Sequence, residues 1–339
     1  MKCVDIFAGC GGMGLGFMQA GFDMVAALDN WPAAIAVYRD NFKHPMYQQD
    51  ISEVDTTVDL IKQYQPDIII GGPPCQDFSS AGKRDETQGR AELTYSYAQI
   101  IEKIMPDWFV MENVDRIRKS KILDEVMNNF KRLGYGLTAV ILDAALCHVP
   151  QARTRFFLIG KRGEQDNFLL SALQSELSHK QMTIREYLGD TLGVDYYYRH
   201  PRNYSRRGIF SIDEPSPTVR GVNRPVPPNY VKHPADPQNI PLTEVRPLTT
   251  IERSYLQTFP KSFCFKGTKS NLEQMIGNAV PVNLANYVAK HILAYEKSTI
   301  DKRFLFEFED SACLPVILPE RALKPLHQTD FSFEYSYAP

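Results

Sequence analysis

Six short apolar runs, separated by stretches that read as helices or turns, pattern the first 160 residues: CVDIF, MVAAL, DIIIGG, WFVMEN, LTAVILDA and RFFLIGKR. Between the first of them, residues 13–20 are amphipathic, and residues 32–41 read as a helix with proline in its first turn. Buried apolar strands alternating with helices predict an α/β chain, with a doubly wound, mostly parallel sheet covered on both faces. Ligands of such sheets bind beyond the carboxyl ends of the strands. The unusual polar clusters of this chain fall there, after CVDIF, MVAAL, DIIIGG and WFVM.

Beyond residue 161 the rhythm breaks. Residues 162–245 are rich in Pro, Arg and Tyr, and order returns at RPLTTIERSYLQTFP, a helical pattern capped by Thr249 or Thr250. QMIGNAVPVNLANYVAKHILAY, residues 274–295, reads as a turn followed by an amphipathic helix. The expected organisation is therefore a catalytic and cofactor domain from 1–161 plus 274–300, a smaller irregular domain at 162–273, and an extension at 301–339 with no assigned role. A net charge of −2 gives no global sign of nucleic-acid binding, but residues 196–233 hold seven Lys/Arg against two Asp/Glu, interleaved with tyrosines. That segment is either a phosphate- and base-contacting surface or a solvated Pro-rich one. No apolar run is long enough for a membrane span, the N-terminus does not read as a signal peptide, and a cytoplasmic protein is expected. Six dispersed cysteines without a CxxC pair argue against disulfides and against a metal site.

FAGCGGMGLG, residues 7–16, is a glycine-rich turn between strand and helix, where a ligand can approach backbone N–H groups. Asp29 follows about twenty residues later, where a ribose hydroxyl is normally held; its alternative is to cap the helix starting near Pro32. Asp50, in QDI, offers a carboxylate to an adenine amino group. No basic residue follows these strands to receive a pyrophosphate, which suits S-adenosylmethionine better than a dinucleotide. In GGPPCQDFSS, Pro73 and Pro74 fix the backbone before Cys75, and a loop to about Arg90 follows. A packing cysteine needs no such setting, whereas a nucleophile has to be exposed, oriented and partly ionised. Glu112 in MENV is either a protonated donor and general acid or an ordinary acid at a strand end. Gln151, Arg153 and Arg155 alternate in QARTR, so their side chains share one face of an extended segment.

DIFAGCGG, GGPPCQDFS, ENV, QARTRFFLIG and GNAVP, in this order, resemble the motifs of the bacterial-type cytosine-5 DNA methyltransferases. The likeness covers residues 1–160 and 246–295, and it implies the S-adenosylmethionine-dependent methyltransferase fold with a variable target-recognition domain in between. It implies that Phe7, Ala8, Gly9, Cys10, Gly11 and Gly12 form the turn holding S-adenosylmethionine, with Asp29 and Asn30 at its ribose. Asp50 and Ile51 then stand at the adenine, Pro74 and Leu93 flank the cofactor, and Asn278 and Ala279 reach it from GNAV. Cys75 becomes the nucleophile, Glu112 contacts a flipped cytosine, and Arg153 and Arg155 support that pocket. Gln76, Ser79, Arg199, Arg202, Arg206, Arg207 and Arg220 are the expected contacts to double-stranded DNA, bound by a monomer. A cognate restriction endonuclease is a partner that such enzymes can have, and the expected location is the bacterial cytoplasm at the nucleoid. Two departures stand out: Asp29 where the family usually has Glu, and Asp77 where Gly is common. A tRNA methyltransferase on the same scaffold, an inactive DNA-binding module and a dinucleotide oxidoreductase are the rival readings. DFSS after PPCQ speaks against the first, an intact Cys75, Glu112 and Arg155 set against the second, and PPCQ with QARTR against the third.

Overall fold

A computed structural model describes residues 1–74, 91–203 and 205–309. The strands are β1 (Lys2–Ile6), β2 (Asp23–Asp29), β3 (Met46–Gln48), β4 (Ile68–Gly71), β5 (Trp108–Asn113), β6 (Tyr135–Asp143), β7 (Gln151–Ala152), β8 (Thr154–Arg162), β9 (Tyr196–Tyr198), β10 (Ile209–Ser211), β11 (Ser216–Pro217) and β12 (Arg246–Pro247). The helices are α1 (Gly12–Ala20), α2 (Pro32–Asn41), α3 (Val54–Lys62), α4 (Ala91–Ile104), α5 (Lys121–Arg132), α6 (Leu170–Ser175), α7 (Ile184–Leu188), α8 (Thr250–Leu256), α9 (Lys269–Asn278) and α10 (Val282–Glu309).

Seven strands form one sheet in the order β3-β2-β1-β4-β5-β8-β6. The pairings from β3 to β5 are parallel. Only β8 runs against its neighbours β5 and β6, so the sheet is mostly parallel, as the apolar runs predict. Side-chain alternation explains why these runs carry no polar face. Cys3, Ile68, Ile70, Trp108 and Val110 enter one core with Phe17 of α1 and Leu284, Val288 and Ile292 of α10. Their neighbours Val4, Ile6, Ile69, Phe109 and Met111 enter another, with Val58 of α3, Ile101 of α4 and Val126 of α5.

Two glycines of α1 bring the C-terminal motif against the glycine turn. A Cβ on Gly12 would lie 2.4 Å from the Val280 carbonyl, and one on Gly16 would lie 2.5 Å from that of Val282. The GNAVP region differs from expectation in one respect: residues 274–278 end a helix rather than forming a turn. Thr268 Oγ1 accepts the Asn271 N–H and starts α9, and the chain breaks only at residues 279–281 before α10. Thr249 caps α8 in a reciprocal pair with Glu252.

Residues 1–296 form one compact unit. Within it, β9, β10 and β12 make a small second sheet, and β11 pairs with β7. A shared core of Ile184, Phe210, Leu256 and Ile276 with Cys10 and Val37 joins this part to the α/β part. Residues 297–339 are a second unit, of which 297–309 are described and helical. Among the described residues no helix is long and apolar enough to cross a membrane.

Candidate active site

The carboxyl ends of β1, β2, β4 and β5 open on a cavity of about 400 Å³, within the usual range for small-molecule sites. Phe7, directly after β1, has a φ of 60°. That left-handed conformation is strained for a bulky side chain, and such strain concentrates at ligand sites. Asp29 Oδ2 accepts the Gly9 N–H at 2.7 Å, and its Oδ1 accepts the Trp31 N–H at 2.8 Å. The carboxylate thus closes the glycine turn and also braces the start of α2, whose cap residue is Trp31. Burial pushes its pKa up, against the N–H groups of Trp31 and Gly9. Phe7, Ala8, Gly9, Cys10, Gly12, Asp29 and Asn30 all line the cavity from this side, and Pro74, Asn278 and Ala279 line it from the others.

Four expected positions do not line it. Gly11 faces inward, where a Cβ would meet the Phe42 ring at 2.4 Å. Ile51 is buried in the core, the Asp50 carboxylate accepts the Ser52 N–H and hydroxyl, and Leu93 is half-buried on α4. Cys75, Gln76 and Ser79 lie outside the described residues; Pro74, next before Cys75 in the chain, is on the cavity wall.

Glu112 projects into the same cavity from β5. Arg155 Nε donates to Glu112 Oε1 at 2.8 Å, with both side chains close to fully buried. Burial pushes the Glu112 pKa up, and the Arg155 and Arg153 charges only partly offset it. A carboxyl so placed is disposed to carry a proton. A Cβ on Gly72 would lie 3.1 Å from Glu112 Oε2, so glycine leaves the carboxyl its room. Asn113 Nδ2 donates to the Pro73 carbonyl at 3.1 Å, fixing the PP segment to the end of β5. The three motifs GGPP, ENV and QARTR therefore converge within one small volume.

QARTR does alternate as predicted, but its members serve different ends. Gln151 is fully buried; it donates to the Leu256 carbonyl and accepts the Val219 N–H at 2.9 Å. Arg153 is 2% exposed. Its guanidinium donates to the carbonyls of Val219, Gly277 and Ala279 at 3.1–3.2 Å.

A second cavity, of about 860 Å³, shares Arg153, Arg155, Gly277 and Asn278 with the first. Arg199, Arg202, Arg206, Arg207 and Arg220 all line it. Three of these are already engaged: Arg199 with the Thr218 carbonyl, Arg207 with Glu214 and the Phe210 ring, and Arg220 with the His200 carbonyl. Among the described residues, the side chains of Arg202 and Arg206 make no hydrogen bond or ion pair, which leaves both free for an anionic partner.

Residues 1–294 match the family model of the C-5 cytosine-specific DNA methylases. The chain belongs to that family. As a C-5 cytosine-specific DNA methylase it is a DNA cytosine methyltransferase. It is 62% identical over 300 residues to the Type II methyltransferase M.HindV of Haemophilus influenzae, covering 88% of this chain and 99% of that protein. It is 57% identical over 295 residues to the Type II methyltransferase M.HgiDI of Herpetosiphon aurantiacus, covering 87% and 95%. The crystal structure of S. pombe Dnmt2 methyltransferase superimposes with a TM-score of 0.65 at 17% identity, over 87% of this chain and 98% of that one, a likeness of fold.

The methylase cavity also contains residues to which the sequence reading gave no role. Asp5, on β1, is 1% exposed and lines it. Burial, then the Asp29 charge, push its carboxyl well up, with the Gly14 N–H opposing. The signal was an acid inside the apolar run CVDIF. Trp31 and Val280 also line the cavity; each directly follows a residue already assigned, and Val280 stands within GNAVP.

Proposed function

We propose that this methylase transfers the methyl group of S-adenosylmethionine to carbon 5 of a cytosine flipped out of duplex DNA, through a covalent bond from Cys75. The observation that carries this reading is the convergence of Glu112, Arg155 and the Gly72–Pro74 segment on the cavity that the glycine turn and Asp29 enclose. The residues fit the methyl donor: a carboxylate at the second strand end, Phe7 and Trp31 as aromatic walls, and exposed backbone at the turn. When bound, the donor supplies an electrophilic methyl group on a sulfonium. Asp29, Asn30, Asn278 and Ala279 would hold it.

Carbon 5 of cytosine is a poor nucleophile. Addition of a thiolate to carbon 6 makes carbon 5 enamine-like. Cys75 has to be ionised for this, and a free thiol, with pKa near about 8.5, is only a few per cent thiolate at neutral pH. Arg155, on the cavity wall that Pro74 also lines, would favour the anion. Glu112 gives its proton to ring nitrogen 3 as negative charge moves there, and Arg155 then stabilises the carboxylate left behind. Carbon 5 takes the methyl group and loses its proton to a base, the bond from carbon 6 to sulfur breaks to release the thiolate, and ring nitrogen 3 returns its proton to Glu112. A cytosine in the stack cannot present its ring face to Cys75, so it is extruded at a cost of a few kcal/mol.

Residues 162–273 are proposed to carry target recognition, with phosphate contacts from Arg202 and Arg206. A monomer working at bacterial DNA in the cytoplasm, alongside a cognate restriction endonuclease, is the setting proposed for it. Bisulfite sequencing of DNA from cells expressing the protein tests the reading: unconverted cytosines should occur in one recurring duplex sequence, and Cys75→Ser should abolish them. Full conversion with the wild-type protein, or methylated tRNA instead of DNA, would refute it.

A further inference from the structure

Arg153 is far from an ordinary member of a reactive pocket, because its guanidinium is spent on main-chain carbonyls. One of them, Val219, belongs to the segment after β11; the other two, Gly277 and Ala279, flank Asn278 at the end of α9. Asn278 lines both the donor cavity and the arginine-lined cavity. The two segments also touch directly: a Cβ on Gly277 would lie 2.3 Å from the Gly221 nitrogen. From the other side, Gln151 holds the Val219 N–H, and β7 holds β11. Arg153 therefore sits where the donor wall, the proposed DNA-reading loop and the catalytic strand meet.

We propose that Arg153 is a positioning residue that couples the two ligand sites, so that binding of the methyl donor tightens binding of DNA, and the reverse. This rests on the proposed function, since it takes the first cavity as the donor site and the second as the DNA side.

The physical reason is that the clamp is costly in the free enzyme. A buried guanidinium normally demands an anion. Among the described residues no carboxylate lies within ion-pair distance of Arg153, its Nε has no hydrogen-bond partner, and the like charge of Arg155 acts on it more strongly than the opposite charge of Glu112. Its hydrogen bonds among the described residues all go to three neutral carbonyls, so the clamped arrangement gains no ion pair over a looser one. A ligand that orders Gly277–Ala279 from the donor side presents two of these carbonyls in place and thereby favours the bond to Val219. DNA that orders the loop around Val219 and Arg220 does the same in the other direction. Linkage requires the two effects to be equal.

The test uses S-adenosylhomocysteine as the donor-side probe and a duplex containing a site identified by bisulfite sequencing. With wild-type protein, the probe alone should slow amide hydrogen exchange in residues 216–223 as well as in residues 275–280. It should also tighten DNA binding, by about tenfold. In Arg153→Lys, whose single ammonium cannot span three carbonyls, that ratio should fall to within about twofold. A purely structural role would weaken both affinities and leave the ratio as it was. An unchanged ratio in folded Arg153→Lys overturns the proposal. If that variant does not fold, the wild-type exchange experiment decides: protection confined to residues 275–280 overturns it equally. Failure of S-adenosylhomocysteine to bind at all is a different result; it removes the proposed donor site, and this inference with it.

Discussion

Replacing Glu112 by Gln separates the protonated carboxyl from the charged one. The side chain is buried against Arg155, with burial as the dominant influence and the arginine charges as the lesser one, and the net direction of its pKa is upward from 4.5. An acid whose folded pKa lies above its unfolded value adds its full stability below the unfolded pKa, and that contribution is lost as pH rises through the folded pKa. Each unit of such a shift is worth about 1.4 kcal/mol. Gln mimics the protonated form at every pH. The variant should therefore match the wild type in urea unfolding below pH 4.5, gain on it as pH rises from there to the folded pKa, and keep that gain above it, even though an ion pair has been removed. In catalysis the order reverses. Gln can still donate an N–H bond, but it cannot transfer a proton to ring nitrogen 3, so turnover should fall by about 10²–10⁴. The wild-type rate should drop as pH rises past the Glu112 pKa, and that limb should vanish in Glu112→Gln. Unfolding and single-turnover methylation measured across pH check both halves. If the wild type instead gains stability over Glu112→Gln with rising pH, Arg155 outweighs burial and the protonated-carboxyl mechanism is wrong.

Three other outcomes follow from the geometry. Asp29→Ala leaves the Gly9 and Trp31 N–H groups without their acceptor; at about 1.5–3 kcal/mol for a hydrogen bond to a charged group, S-adenosylhomocysteine affinity by calorimetry should fall at least tenfold, about 1.4 kcal/mol, and unchanged affinity would deny Asp29 its place at the donor. Combined Arg202→Ala and Arg206→Ala should reduce the slope of log affinity for DNA against log salt by about 1.8, or ~0.9 per phosphate contact. Arg207→Ala, which loses an internal pair with Glu214, should lower thermal stability while leaving that slope nearly intact; an equal slope change in both would show that the engaged arginines also contact phosphate.

The sheet was legible because its strands are buried on both faces, and runs such as DIIIGG have few other ways to fold. The glycine turn, Glu112 and Arg155 were legible because each lies at or directly beside the end of a strand, where local order and three-dimensional position coincide. Other features depend on partners far away in the chain. Arg153 finds its acceptors 66, 124 and 126 residues away, and nothing local distinguishes it from Arg155. In the same way, five arginines of one basic segment look equivalent until Thr218, Glu214 and His200 engage three of them. IGN at residues 276–278 carries turn-forming residues, yet it closes a helix because Thr268 caps the start and Gly277 gives Gly221 room. Asp5 was hidden in the opposite way, as a polar letter inside a strand whose neighbours are all apolar.

Catalysis as proposed requires a sulfur–carbon bond at residue 75. A duplex whose target cytosine carries fluorine at carbon 5 blocks the final proton loss and traps that bond once the methyl group has moved. Incubated with the enzyme and S-adenosylmethionine, it should yield a protein–DNA adduct that mass spectrometry maps to the peptide containing Cys75, and none with Cys75→Ser. Methylation of ordinary cytosine without any trapped adduct, or an adduct at another residue, would contradict it.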